Sequence, residues 1–573
     1  MVSELRLIYM PDFGFVGTSY EAPSIYQDAQ ECINFYAEID PQKQPGERGV
    51  VALYPTPGLT LQTQLAEAEV RGLHTLSGET ILIAVSGASV YSVNTSMVAT
   101  LIGTLLSSTG PVSISDNITT NNGLTAYIVD GGNRYTWIAA TNTFAVLSSA
   151  DGPWQGANVT DQVDNYFLYN EPGTQNFACS DLGLASSSLA LYGTVDGSSD
   201  LLVTFIVDRR QVYLLGERTT EVWTDIGNVI AGITTFPFQR IQGTSSQSGI
   251  AARFSLARFG NSFVCVARDT VGNGTIEMME GYTWVRISTH AVEQSLINQY
   301  IGDAIAYTYQ IEGHEMYVVT FPTINLTWVY DLSTKSWHKW LAFSNGVYSR
   351  HRSNCGAFFG NRYIVGDFQN GKLYSIENAV YTEDGATIRR LRRAPHLVAD
   401  FQRQYFDELQ IQFQPGVGLG VTPGYDSEGI ITELANVPAA GPSYQLIAEF
   451  DWEYLTTESG DEIIVETPFG FPVEYLVTFA YSGPDIDGAD IVTEQALATP
   501  GYDPQAMLRW SSDGGSTWSS EHWTSIGKMG QYSNRAIWRR LGFGRDRVFE
   551  VSISAPVKAV IISANLKATA GDN

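Results

Sequence analysis

The feature that most constrains this chain is a recurrence. Pairs of short alternating strands, joined by polar turns, return seven times: in 80–93, 124–138, 165–182, 211–223, 262–287, 315–340 and 362–376. Successive units start roughly 40–50 residues apart, the period of a four-stranded propeller blade. One blade alone cannot bury both its faces, whereas a ring of blades buries each face against its neighbour. The unit Met316-Tyr317-Val318-Val319 is the clearest. Its two strands flank Phe321-Pro322-Thr323-Ile324-Asn325, and Asp331 with Ser333-Thr334-Lys335 makes the next turn. The reading is a β-propeller of six or seven blades over residues 66–385. The best short helical candidate is 291–300.

At 573 residues the chain exceeds one hydrophobic core, so further domains are expected. Aromatics at 12% and 54 glycines suit pleated strands and tight turns. The fold class is therefore all-β. Residues 1–65 form an irregular N-terminal arm, expected to pack with the C-terminal domain. Two of its segments stand out, Ala29-Gln30-Glu31-Cys32-Ile33-Asn34-Phe35-Tyr36 and Leu53-Tyr54-Pro55-Thr56-Pro57-Gly58-Leu59. Proline cannot donate to a ladder, so the second is predicted to be an extended arm or edge rather than a central strand.

Residues 386–573 read as a second β domain. Apolar and polar positions alternate in 409–413, 507–510, 536–541, 548–553 and 559–564, as in a sandwich with one buried sheet face. Within it, residues 421–500 hold 15 Asp and Glu and no Lys or Arg. Ile463-Ile464-Val465 and Tyr475-Leu476-Val477-Thr478-Phe479 mark this stretch as a folded acidic insertion rather than a tail.

The net charge of -27 excludes global gripping of nucleic-acid phosphates. An acidic wall still lets DNA slide past. The candidates for such a channel or exit surface are Asp451, Glu453, Asp461, Glu462, Asp485 and Asp487. Against this background stands a basic run, Arg389-Arg390-Leu391-Arg392-Arg393. It reads as a solvated face or as a contact with an acidic neighbouring chain, with DNA contact a distant third.

Sites for chemistry are sparse. Cys32, Cys179, Cys265 and Cys355 lie far apart, as free thiols would. The seven histidines show no metal-ligand spacing and read as surface or turn residues. Phosphate-loop and nucleophile-elbow motifs are missing. Gly416-Val417-Gly418-Leu419-Gly420 reads as a turn, and Asp485-Ile486-Asp487-Gly488-Ala489-Asp490 falls short of a calcium loop. No catalytic residue, cofactor or metal is expected. The start of the sequence lacks signal-peptide features, and no apolar run approaches the roughly 20 residues that cross a bilayer. The expectation is a soluble protein assembled in a reducing compartment.

Ser512-Asp513-Gly514-Gly515-Ser516-Thr517-Trp518 resembles the Asp box of sialidases. In that turn Asp513 binds backbone amides, Gly515 permits the bend and Trp518 packs beneath. The box is structural, and here a single copy lies outside the propeller. It leaves one alternative open, a glycan-binding or sialidase-like propeller.

The chain as a whole resembles the packaged DNA stabilization proteins, or tail nozzle (hub) proteins, of short-tailed bacteriophages. The likeness is carried by Ala29 to Tyr36 with Leu53 to Leu59, by the blade at 203–223, by the basic segment at 388–396 and by the C-terminal block. That block reads Leu508-Arg509-Trp510-Ser511-Ser512-Asp513-Gly514-Gly515, then Ile537-Trp538-Arg539-Arg540-Leu541-Gly542, then Arg545-Asp546-Arg547-Val548. The resemblance implies a non-enzymatic virion protein of the tail, assembled in the host bacterial cytoplasm as a homo-hexamer. It would sit below the portal and its adaptor, carry a tail spike or fibre and a tail needle or plug, retain packaged DNA and conduct it at ejection. DNA would pass through the lumen without sequence-specific binding. Arg389, Arg390, Arg392 and Arg393 would then lie at a subunit or adaptor contact.

Overall fold

The computed structural model describes residues 7–11, 13–43, 50–66, 68–187, 192–227, 229–230, 233–398, 402–414, 444–445, 464–465, 504–527 and 531–570. Among these, one five-residue α-helix, His290–Gln294, and one 3-10 turn, Ser149–Asp151, interrupt a chain of strands. Two compact units are present. The larger is Met1–Gln414, Gln505–Thr524 and Ala536–Asn573; the smaller is Pro415–Pro504 with Ser525–Arg535.

Seven four-stranded antiparallel stacks succeed one another in the larger unit. Six take their strands from consecutive chain, spanning 70–104, 113–147, 160–194, 202–240, 257–286 and 305–339. The strand pairs visible in the sequence are the second and third of each blade, such as Ile81–Ser86 with Ser89–Asn94. The second strands carry near-continuous apolar runs because neighbouring blades cover both their faces.

Among the described residues, seven separate hydrophobic clusters join blade to blade. Ile83 and Val85 meet Ile128 and Trp137 between the first two. Val129 meets Phe167, Leu168 meets Leu214, and Leu215 meets Phe263. Val266 meets Val319, and Val318 meets Val365. Ile364 and Leu373 of the seventh blade meet Val70 and Leu82 of the first, which closes the circle. The propeller thus has seven blades.

The seventh blade supplies only three of its own strands, Ser353–Phe359, Arg362–Asp367 and Lys372–Glu377. Its fourth is Gly58–Gln64, which runs antiparallel to Lys372–Glu377 and touches Thr382–Glu383 on its other side. The expected edge is therefore an interior strand. Leu53 likewise has Ala37 on one flank and Ile561 on the other. The prolines are accommodated by position. Pro55 is the last residue of Val51–Pro55, and Pro57 lies between that strand and the next, where no ladder donor is needed.

Two sheets form the sandwich. The first continues the sixth blade: Ser336–Lys339 pairs with Ala29–Ile33, then come Arg390–Arg393, Asp546–Ile553 and Gln505–Ser511. The second runs Phe35–Ile39, Val51–Pro55, Ile561–Ala570, Gln404–Phe413, Ala536–Arg539, with Leu7–Pro11 also on Ile561–Ala570. Phe406 and Phe549 pack edge to face across the sheets at 5.7 Å. Asn34 switches the arm from one sheet to the other. It adopts a left-handed φ of 59°, which asparagine tolerates. Its side chain donates to the carbonyls of Leu341 and Arg389 and accepts from the Leu341 amide, each at 2.8 Å.

The smaller unit contains an antiparallel pair, Tyr444–Gln445 with Ile464–Val465.

Candidate functional site

The basic run forms the strand Arg390–Arg393, which lies between Ala29–Ile33 of the arm and Asp546–Ile553. Alternation along a strand sends its arginines to opposite faces. Arg390 and Arg392 point inward and are 0% exposed. That corrects the expectation of a subunit or adaptor contact at these two positions, because a side chain sealed within its own chain touches no partner. Burial pulls both guanidinium groups down to about 10. Arg392 donates to the carbonyls of Gly14, Phe15, Thr18 and Glu31 and to Gln30 Oε1, so one guanidinium ties the first arm segment to the core.

Arg393 faces the other way, into a row of alternating charge. Glu31, Arg393, Glu550 and Arg509 occupy cross-strand positions on four adjacent strands. Arg393 Nη2 lies 3.1 Å from Glu31 and 2.8 Å from Glu550, and Arg509 pairs with the other oxygen of Glu550. Lys339, at the end of the sixth blade, adds contacts to Glu31 at 2.7 Å and Glu21 at 2.8 Å. Burial pushes the Glu31 carboxyl up, but Lys339 and Arg393 outweigh it and hold the group below the usual range. Opposite charges in register stabilise a sheet. Arg389 is half-buried, pairs with Glu521 at 3.3 Å and lies over the Phe343 ring.

The Asp-box turn sits above this row. Asp513 Oδ1 accepts from the Thr517 amide at 2.8 Å and Oδ2 from its hydroxyl at 2.6 Å. These bonds, with the one from Ser511, hold the Asp513 carboxyl down at about 2. Gly515 takes a φ of 103°, and its amide donates to Ser511 Oγ. Trp518 lies against the guanidinium groups of Arg393 and Arg509, 5.0 and 4.8 Å from its ring centre. Sequence reading finds the turn but not its contact with Arg393, which lies more than 100 residues away in the chain. The acidic candidates Asp451, Glu453, Asp461, Glu462, Asp485 and Asp487 lie outside the described residues, as do the Gly416 to Gly420 turn and the Asp485 to Asp490 loop.

Three of the seven histidines depart from the surface reading. His314, His338 and His351 are buried. His351 sits between Ser353 Oγ, 2.7 Å from its Nδ1, and Glu383 Oε1, 3.4 Å from its Nε2. The order of groups is that of a nucleophile triad, but His351 is 0% exposed and stacks on Trp340, so substrate has no path to it. All four cysteines are unpaired thiols, three of them buried.

At the centre of the propeller, the first strands of all seven blades wall a cavity of 640 Å³. Its charged lining is Arg71, His74, Asp116, Asp161, Arg253 and Arg258.

The family model for the β-propeller of bacteriophage P22 Gp10 matches residues 29–381, and the model for its β-sandwich matches residues 488–569. This chain belongs to the P22 Gp10 family. That family is the packaged DNA stabilization, or tail nozzle, protein of short-tailed phages, and the chain is a structural protein of the virion tail. The propeller match begins with the arm strand Ala29–Ile33 and so includes the closing strand Gly58–Gln64. Nothing found favours the glycan-binding alternative. No curated protein matches the chain. Among solved structures it is similar to a chain of the mitotic checkpoint complex, at 12% identity over 59% of this chain and 97% of that one, with a TM-score of 0.36. It is also similar to the extracellular domain of the putative hybrid two component system BT4673 from B. thetaiotaomicron, at 9% identity over 65% of this chain and 44% of that one, TM-score 0.37. Neither likeness bears on what the Gp10-family chain does. Among the described residues, no helix is long and apolar enough to cross a membrane.

Proposed function

We propose that six copies of this chain close into a nozzle ring below the portal and its adaptor, retain the packaged genome and conduct it at ejection. The observation that carries this beyond the family membership is the continuous sheet from the sixth blade through the arm into the sandwich. It joins propeller and sandwich into one stiff body, and stiff bodies close by heterologous contacts into a ring. The strong acidity of the chain suits a lumen that DNA slides through rather than sticks to. The adaptor, a spike or fibre, and a needle or plug are the expected neighbours, and the host cytoplasm is the expected site of assembly. The chain acts without a reaction centre. Arg389, paired with Glu521, and Arg393, within the charge row, are both half-buried and are the members of the basic run still open to an adaptor or subunit contact.

Imaging virion tails at residue resolution tests the proposal. A six-fold ring of this chain between adaptor and tip is expected; a different rotational order or a position off the tail axis contradicts it. Neutralising the acids of residues 421–500 to Asn and Gln is expected to slow ejection through a stickier lumen. Unchanged ejection and DNA retention would remove the insertion from that role.

A further inference from the structure

The cavity at the propeller's centre carries an imbalance of hydrogen-bonding groups. Both oxygens of each of its carboxylates already accept hydrogen bonds. Asp116 accepts from His74 Nε2 at 2.7 Å through one oxygen and from the Ser77 amide at 2.8 Å through the other. Asp161 accepts from the amides of Gln162 and Val207, each at 2.8 Å, and from Arg258 at 3.4 Å. Arg71 is used up as well: its guanidinium donates to the carbonyls of Gly87, Ser107, Thr109 and Gly110 and to the Ser107 hydroxyl.

Arg253 and Arg258 are different. Arg253 spends its Nε–H on the Val203 carbonyl at 2.9 Å, and among the described residues its Nη groups have no acceptor and no carboxylate partner. Arg258 reaches Asp161 with one Nη and is 56% exposed. A guanidinium has five N–H donors and no acceptor, so these two side chains leave several donors facing the cavity. Three guanidiniums line the cavity against two carboxylates, Asp116 and Asp161. The cavity is also of a size that holds a small molecule. In a chain of net charge -27, a central cavity with more guanidiniums than carboxylates is selective by sign.

We infer that the central cavity of the propeller is a binding site for a small oxyanion, a phosphate- or carboxylate-bearing molecule held by Arg253 and Arg258. Arginine matches the planar, two-oxygen face that phosphate and carboxylate share. The site is independent of the nozzle role. This cavity is walled by residues of one chain alone.

Calorimetric titration of the full-length chain with inorganic phosphate, with citrate and with glycerol as a neutral control tests it. Saturable one-to-one binding of phosphate or citrate is expected, and which of them binds more tightly identifies the oxyanion. Glycerol should not bind. Arg253→Met and Arg258→Met should each weaken binding by about tenfold, the scale of one charge-assisted hydrogen bond. The bound anion should raise the melting temperature of the wild type but not of the variants. Arg258 is largely exposed, so its variant keeps the test sound if Arg253→Met loses its contact to Val203 and unfolds. Absence of saturable binding by either anion overturns the inference, and so does binding that both variants retain at wild-type strength.

Discussion

The residues that matter most here are charged and buried. Arg392 is fully buried and donates to five acceptors, among them the carbonyl of the buried Phe15. Removing it leaves the Phe15 carbonyl unpaired and a guanidinium-sized void in the core, so Arg392→Ala should cost about 3 kcal/mol, read as a shift in the urea midpoint. Lysine in its place should recover little, because one ammonium cannot fan out to acceptors on separate turns. Two histidines of the sixth blade should titrate in opposite senses. Hydrogen bonds to Asp331 and Glu38 overcome burial and raise His314 to about 9. Its folded value lies above the unfolded one, so its stabilisation is complete below about pH 6.5 and fades as pH rises through about 9. His338 is the reverse. Burial lowers it to about 4, so the unfolded chain binds the extra proton and stability falls as pH drops from about 6.5 towards 4. Urea midpoints across pH should therefore fall on both sides of neutrality. His314→Gln should flatten the alkaline limb by up to about 2 kcal/mol, and His338→Gln the acid one. An alkaline limb unchanged in His314→Gln would show that the Glu38–His314–Asp331 set contributes nothing. None of this was legible in the sequence. Charge and histidine spacing report composition, and burial of a polar side chain depends on partners hundreds of residues away.

Elements were easier to read than residues, and for a physical reason. The second and third strands of each blade are buried on both faces, so their apolar runs stand out, and all seven pairs were visible by period. The outer strands, such as Thr143–Leu147 and Thr283–Arg286, are mostly exposed and therefore carry no such signal. The closing strand Gly58–Gln64 was hidden for another reason. It lies more than 300 residues from Lys372–Glu377, and the prolines before it suggested an edge. Gly58 shows how tightly that strand is seated. A Cβ there would lie 2.5 Å from the carbonyl oxygens of Val380 and Thr382, backbone atoms that cannot swing aside. Gly58→Ala should destabilise by about 1–3 kcal/mol through overpacking. Gly385→Ala, where an added Cβ meets open space but φ is 80°, offers a comparison in which only backbone strain acts. Thermal melts that rank the two alike would argue that the closing strand is loosely held.

At the scale of the whole molecule, the arm decides how the parts cohere. Its strands enter both sandwich sheets through Ala29–Ile33 and Phe35–Ile39, and its last strand completes the seventh blade. The propeller is therefore not bounded by residues 66 and 385, the limits its repeat suggests. A fragment of 66–385 would lack the closing strand and leave the ladder of Lys372–Glu377 open beside the first blade. An open, apolar ladder pairs with other chains. Such a fragment should aggregate and melt without a cooperative transition, whereas 58–385 should regain cooperative melting at a lower temperature than the full chain. The deficit that remains would measure what the charge row and the shared sheet contribute, since Glu31, Glu550 and Arg509 are then absent. Equal melting of the two fragments would mean that the seven inter-blade cores hold the circle without the strap. The arm would then serve the sandwich alone.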